Sequence, residues 1–239
     1  MIRECEQING GSWFKYFSRK GGRMILNDER VQKNELYVKD TWGDLFKKYL
    51  SVEKGSLISL GAGYGRIEIP LARMGFQIIG VDNDPDVLNV LSKNAGKYAE
   101  RRLTPIYGNL YDGFYTQFIG KNIQACISFG VMEHFTIPDL KELIKKQFLI
   151  APLLICFVPT NTKKTLETFN AQKKPEGNVD EYGIYRNFWT SMFWEKEIFS
   201  NYNVIDTQDY AVQENRGFIE GITLVVKEHK EAIHESFKY

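Results

Sequence analysis

Three glycines, Gly61, Gly63 and Gly65, stand at alternate positions in ISLGAGYG, directly after a short apolar run. Glycine at such a place lets the main chain turn tightly and lets a ligand approach the backbone more closely than a Cβ would permit. Asp82 closes the next apolar run, 17 residues past Gly65. A carboxylate there can accept from both hydroxyls of a ribose lying across the strand ends. The neighbouring Asp84 is the better helix cap, because Pro85 follows it at the first helical position, where a missing N–H costs nothing. A second group able to do chemistry is the pair Glu133 and His134 in FGVMEHF. Histidine titrates near neutral pH, so His134 is a candidate base or acceptor-orienting group with Glu133 beside it; the same pair reads equally well as shaping its loop. His229 and His234 lie in the charged tail KEHKEAIHESFKY and are most simply solvated.

Those residues need a scaffold that brings strand ends together. From residue 56 onward short apolar runs alternate with helical stretches, the pattern of a parallel sheet covered on both faces. SLISL (56–60), FQIIGV (76–81), TPIYG (104–108), IQACISF (123–129) and PLLICFV (152–158) read as five strands. Helices are expected over about 65–74, from Pro85 along the face of Val87, Leu88, Leu91, Ala95 and Tyr98, and over about 138–150. NVIDTQDYAVQ and GFIEGITLVV flank Glu214, Asn215 and Arg216 and read as an antiparallel hairpin. The fold class is therefore α/β: a doubly wound, mostly parallel, seven-stranded sheet finished by an antiparallel strand.

Before residue 50 the chain is aromatic and charged. Val38, Trp42, Leu45, Phe46 and Tyr49 recur at helical spacing behind a capping-like Thr41 and Asp44. This predicts an N-terminal helical cover over 1–50, with the catalytic domain over 51–239. After Pro159 a polar stretch of about 24 residues shows no strand pattern, and a segment that long predicts a lid-like insertion around 160–188, followed by a helix over about 189–201.

Composition narrows the class of function. Lys plus Arg number 31 against 30 for Asp plus Glu in 239 residues, a net charge of +1 without a basic stripe, which disfavours nucleic acid as partner. The longest apolar stretch, PLLICFVP, is too short to span a bilayer, and the first residues lack a secretory apolar core. Cys5, Cys126 and Cys156 form no metal spacing and read as reduced thiols of a cytoplasmic protein; no metal site is expected.

Two cofactor classes fit the glycine turn and Asp82: a nicotinamide dinucleotide or S-adenosylmethionine. The dinucleotide fingerprint places its third glycine where Arg66 stands here. The stretch ISLGAGYGRIEIPLARMGFQIIGVDNDPDVL resembles the first two motifs of the class I S-adenosylmethionine-dependent methyltransferases. The resemblance extends through YGNLYD, FGVMEHF, FVPTN and the terminal hairpin. It implies a Rossmann-like transferase that binds S-adenosylmethionine and releases S-adenosylhomocysteine. It also implies that Gly61, Ala62, Gly63 and Gly65 lie along the methionine and ribose, that Asp82 and Asn83 meet the ribose edge, that Asn109 and Leu110 meet the adenine, and that Phe129 lies near the methionine end. Where the family usually carries an acid two residues before the first glycine, this chain has Ser59, which leaves the partner of the methionine ammonium unassigned.

Methyl transfer is an in-line displacement that needs alignment, exclusion of water and at most one base. The acceptor is expected to be a small molecule methylated on oxygen, nitrogen or carbon. Tyr37 and Trp42 of the cover, and Tyr185 and Arg186 of IYRNFWT, are candidates to line its pocket, with Arg186 able either to meet an anion or to stack on aromatics. FGVM lacks the proline-rich tetrapeptide of amino-directed base methyltransferases, and no cysteine follows a proline, which argues against base methylation. A non-catalytic S-adenosylmethionine-binding regulatory subunit stays open as the alternative.

Overall fold

The computed structural model describes residues 13–19, 24–109, 113–171, 176–179, 183–214 and 217–229. Its centre is a seven-stranded sheet. The strands are β1 (Ser56–Leu60), β2 (Ile78–Asp82), β3 (Leu103–Tyr107), β4 (Ile123–Phe129), β5 (Leu153–Pro159), β6 (Tyr202–Glu214) and β7 (Gly217–Glu228). Their spatial order is β3-β2-β1-β4-β5-β7-β6. The first five run parallel, whereas β7 is antiparallel to both β5 and β6. Every residue of β5 is buried, as a strand covered on both faces must be. Strand order reverses between β1 and β4, so the chain leaving β1 goes to one side and the chain leaving β4 to the other. That divergence opens a crevice at the carboxyl ends, where open α/β sheets take their ligands.

The helices are α1 (Trp13–Arg19), α2 (Asp28–Tyr49), α3 (Glu68–Arg73), α4 (Pro85–Tyr98), α5 (Ile137–Ile150) and α6 (Lys163–Thr168). Helix α4 starts as its sequence dictates: Asp84 Oδ1 accepts from the Asp86 and Val87 amides, with Pro85 at the first position. Helix α2 starts thirteen residues before the Thr41 signal. Asn27 is its cap, accepting from the Arg30 amide, and Asp28 and Glu29 complement the positive end of the helix. Thr41 lies inside the helix, because the apolar stripe already begins at Val31. The stripe runs through Val38, Trp42, Leu45 and Phe46 into the same core as Leu57, Ile127, Ile155 and Phe157.

Trp42 is the anchor of that contact. Its ring meets Phe157 at 4.4 Å, Phe129 at 5.3 Å and Tyr210 at 5.7 Å, and its indole N–H donates to Thr223 Oγ1 at 2.9 Å. Trp42→Ala removes a buried ring and strands a buried hydroxyl, so it is expected to lower unfolding stability by about 3–5 kcal/mol. Trp42→Phe, which keeps most of the packing, should lose about 1 kcal/mol. Urea midpoints of the two variants check both numbers.

The segment read as a lid-like insertion around 160–188 carries helix α6. Thr162 caps it, and Thr165 ties it to β7 by accepting from the Glu220 amide at 2.8 Å and donating to the Glu220 carbonyl at 2.9 Å. A two-residue ladder pairs 178–179 with 185–186. The helix expected over 189–201 is shorter: a turn at Ser191–Phe193 continues as a π-helical turn at Trp194–Ile198. The hairpin turn at Asn215 and Arg216, along with Cys5, Leu110 and His234, lies outside the described residues. No helix among the described residues is long and apolar enough to cross a membrane.

Candidate functional site

The three glycines adopt positive φ, +65° at Gly61, +56° at Gly63 and +90° at Gly65, each for a different reason. A Cβ at Gly61 would stand 2.6 Å from Val131 Cγ2, and one at Gly65 would stand 2.8 Å from Leu91 Cδ1, so these two make room for protein. At Gly63 a Cβ would meet nothing nearer than Phe17 Cζ at 3.8 Å. That glycine faces open space, and the space is a cavity of about 380 Å³, within the usual range of small-molecule sites.

Gly61, Ala62, Gly63 and Tyr64 form the cavity floor, with Phe129, Gly130 and Glu133 after β4 on one side. Phe129 is stacked on Phe157 at 3.9 Å and 8°, which fixes its ring. Tyr37 and Trp42 of α2, together with Tyr210, also line it, and the Arg66 guanidinium, just past the turn, lies over the Tyr37 ring at 5.7 Å. Helix α1 closes over the top. Phe17 packs edge-on against Tyr64 at 5.4 Å, Trp13 against the His134 ring at 4.9 Å, and the Phe14 amide donates to Asp84 Oδ2 at 3.0 Å. Buried Asn94 of α4 braces this arrangement: its amide donates to the Tyr64 and Met24 carbonyls and its oxygen accepts from the Leu26 amide. No pattern in the sequence marks Asn94, since a polar residue in the middle of a helix reads as solvated.

Asp82 is buried at the end of β2. Its Oδ2 accepts from the Gly63 amide at 2.9 Å and its Oδ1 from the Asp84 amide at 3.0 Å, so the carboxylate fastens the glycine turn to the second strand. Burial raises its pKa against the pull of those backbone donors. Each oxygen holds one N–H in these bonds and retains capacity for another donor. Asn83 is exposed beside it and Asn109 is half-buried after β3.

Asp82, Asn83 and Asn109 are not among the residues that line the cavity, whereas two other carboxyls are buried in its wall. Glu68, 3% exposed at the start of α3, accepts a 2.6 Å hydrogen bond from Ser59 Oγ. Glu133, 4% exposed, has its Oε2 without a hydrogen-bond partner. Burial pushes both pKa values up to about 7, in Glu133 against the opposing charge of Arg186. Sequence reading missed Glu68; the signal was the serine where an acid was expected.

His134 stands behind Glu133 and is not among the residues lining the cavity. Its Nδ1 lies 2.7 Å from the Tyr185 carbonyl, which can only accept, so Nδ1 carries the proton; Nε2 is 3.6 Å from Glu133 Oε1. Burial, with the nearby Arg186 charge, lowers the His134 pKa to about 3, which keeps the imidazole neutral across the physiological range. Arg186 is buried between the rings of Tyr16 at 5.1 Å and Phe169 at 4.8 Å, so of the two uses open to it the geometry displays stacking. Neither Tyr185 nor Arg186 is among the residues lining the cavity; the Tyr185 carbonyl meets His134 instead. The Cys126 thiol is pushed up to about 12 by burial and Cys156 higher still, which leaves neither as a nucleophile. No group of three metal-ligating side chains occurs among the described residues.

Residues 58–149, from β1 through α5, match the family model of a methyltransferase domain. Among solved structures the chain is similar to a SAM-dependent methyltransferase from Anabaena variabilis ATCC 29413, at TM-score 0.67 and 13% identity over 96% of each chain. It is also similar to a protein of Pyrococcus horikoshii OT3, at TM-score 0.66 and 17% identity over 90% of this chain and 99% of that one. A third similar structure is the magnesium protoporphyrin IX methyltransferase of Synechocystis PCC 6803 with bound SAH, at TM-score 0.62 and 17% identity over 91% and 94%. No curated protein sequence matches the chain.

Proposed function

We propose that this chain is a class I S-adenosylmethionine-dependent methyltransferase that moves the methyl group to an oxygen, nitrogen or carbon of a small-molecule acceptor with an apolar or aromatic body, a reading supported by the match of residues 58–149 to a methyltransferase domain. The observation that carries the acceptor reading is the cavity itself. It continues from the glycine turn into walls formed by Tyr37, Trp42, Phe157, Phe169 and Tyr210. The same lining carries Arg30, Lys33, Arg66, Glu68 and Glu133, and an enclosed space that joins aromatic walls to a few charged groups suits a ligand of drug size.

The residues present fit the cofactor. Gly63 offers the backbone surface on which a nucleoside thioether can lie, since only a cavity would receive a side chain there. Asp82, held by backbone donors at Gly63, Asp84 and Asn83 just beyond the cavity lining, is the carboxylate that the family resemblance sets against the ribose hydroxyls. By the resemblance Asn83 would meet the ribose edge and Asn109 the adenine, while Phe129 and Gly130, which line the cavity, would underlie the methionine end. Once bound, the sulfonium supplies an activated methyl carbon.

The chain's own work is then to align the acceptor, exclude water and receive a proton. The aromatic walls and α1 do the first two. Glu133 does the third: it lines the cavity, its Oε2 is unsatisfied, and a carboxyl with a pKa near 7 is matched to taking a proton at neutral pH. His134, neutral and held by the Tyr185 carbonyl, positions the loop that carries Glu133.

Methyl-labelled S-adenosylmethionine, incubated with the purified chain and with separate metabolite, RNA and protein pools, tests the assignment. Label is expected in the metabolite pool. Label confined to a polymer pool would overturn the acceptor class, and tight S-adenosylhomocysteine binding with no label in any pool would favour a non-catalytic binding subunit.

A further inference from the structure

The family resemblance leaves the ammonium of the cofactor without its usual acid, because Ser59 occupies that place at the end of β1. In the fold that place is not empty of charge. Nine residues on, Glu68 turns its side chain back across the start of α3. There Oε1 accepts from Ser59 Oγ at 2.6 Å and Oε2 from the Ile67 amide at 3.3 Å. Ser59 is fully buried, and Glu68 forms part of the cavity wall with Gly61, Gly63, Phe129 and Gly130. No basic side chain is paired with Glu68 among the described residues. A carboxylate placed there gains nothing for the fold, since burying it without a counter-charge is costly. A cationic group of a ligand in the cavity would compensate its charge.

Resting on the cofactor reading above, we propose that Ser59 and Glu68 act together in place of the missing acid, Ser59 orienting the Glu68 carboxylate to receive the α-ammonium of S-adenosylmethionine. Glu68 is thus a binding residue and Ser59 a positioning residue. The arrangement has a consequence for pH. In the free protein Glu68 is raised to about 7 by burial, with the buried Asp82 carboxylate contributing; the charged groups that share its cavity are Arg30 and Lys33 of α2, Arg66 before α3, and Glu133 after β4. An ammonium at hydrogen-bond distance favours the ionised form, so binding below pH 7 releases a proton. Affinity for the amino-acid end therefore rises with pH until about 7 and then levels.

Titration calorimetry with two ligands separates this from a structural role. S-adenosylhomocysteine carries the ammonium, whereas 5′-methylthioadenosine is the same thioether nucleoside without the amino-acid end. Glu68→Gln is expected to weaken S-adenosylhomocysteine roughly ten- to a hundredfold, to leave 5′-methylthioadenosine within about twofold, and to remove the pH dependence of the first ligand. Ser59→Ala, the milder change, should weaken the same ligand about three- to tenfold. Equal losses for both ligands in both variants, or no loss in either, would overturn the assignment while leaving the cofactor reading standing. If the unaltered chain binds neither nucleoside, the cofactor reading falls and this assignment falls with it.

Discussion

Gly63→Val is expected to reduce S-adenosylhomocysteine affinity at least a hundredfold while the chain still folds, and Gly61→Ala is expected to do nearly the reverse. The contrast follows from what surrounds each α-carbon. At Gly63 the nearest atom to an added Cβ is 3.8 Å away, so no protein contact resists a side chain; the new methyls project into the space where the nucleoside would lie. The remaining cost is the positive φ of +56°, on the order of 1–2 kcal/mol for an L-residue. At Gly61 the added atom would stand 2.6 Å from Val131 Cγ2, so the turn and the loop after β4 must separate before any ligand is involved. Calorimetry and thermal melting run side by side on the two variants check the prediction. A Gly63→Val protein that binds normally would show that the ligand does not rest on this turn, whatever else it touches.

How much of this was legible in the sequence depends on whether the physics was local. The glycine turn, Asp82 and the Asp84 cap were legible, because positive φ, a strand end and a capped helix each demand particular residue types at fixed spacing. The five parallel strands were legible for the same reason: a strand covered on both faces must be continuously apolar, as β5 is. The start of α2 was not, because residues 28–37 mix charged and apolar positions and the capping-like Thr41 competed with the true cap at Asn27. Helix α6 was hidden by polarity. Thr165 looks like a loop residue until β7 supplies the Glu220 backbone for it to bond. The Glu68–Ser59 pair was hidden by distance, since only the packing of α3 against β1 brings the two side chains together. His134, the residue whose type most invites a catalytic role, is the one whose surroundings favour a neutral brace: a carbonyl on Nδ1 and the Trp13 ring beside it.

Glu133 carries the last expectation, and it is one in which activity and stability move in opposite directions. Glu133→Gln should lower turnover by about 10²- to 10⁴-fold, the usual worth of a general base, with S-adenosylhomocysteine affinity unchanged. At saturating cofactor Glu68 is ion-paired and no longer titrates near neutrality, so the rising limb of the pH–rate profile near 7 reports Glu133 and should disappear in the variant. His134→Gln should keep that limb, because the imidazole, lowered to about 3, does not titrate there. The stability sign follows from the same burial. Glu133 is raised from 4.5 to about 7 in the fold, so between those values the native state holds a proton that the unfolded chain has released. Stability therefore falls as pH rises through that window. The cost is absent below pH 4.5 and full above 7, where it amounts to about 3 kcal/mol with the opposing pull of Arg186 already included. Glu133→Gln removes the buried charge and should melt several degrees higher than the unaltered chain at pH 8, but nearly level with it at pH 4.5. A slower and more stable enzyme is the signature of a carboxylate kept for chemistry against the interest of the fold; a variant that is fast and less stable would instead mark Glu133 as part of the loop's architecture.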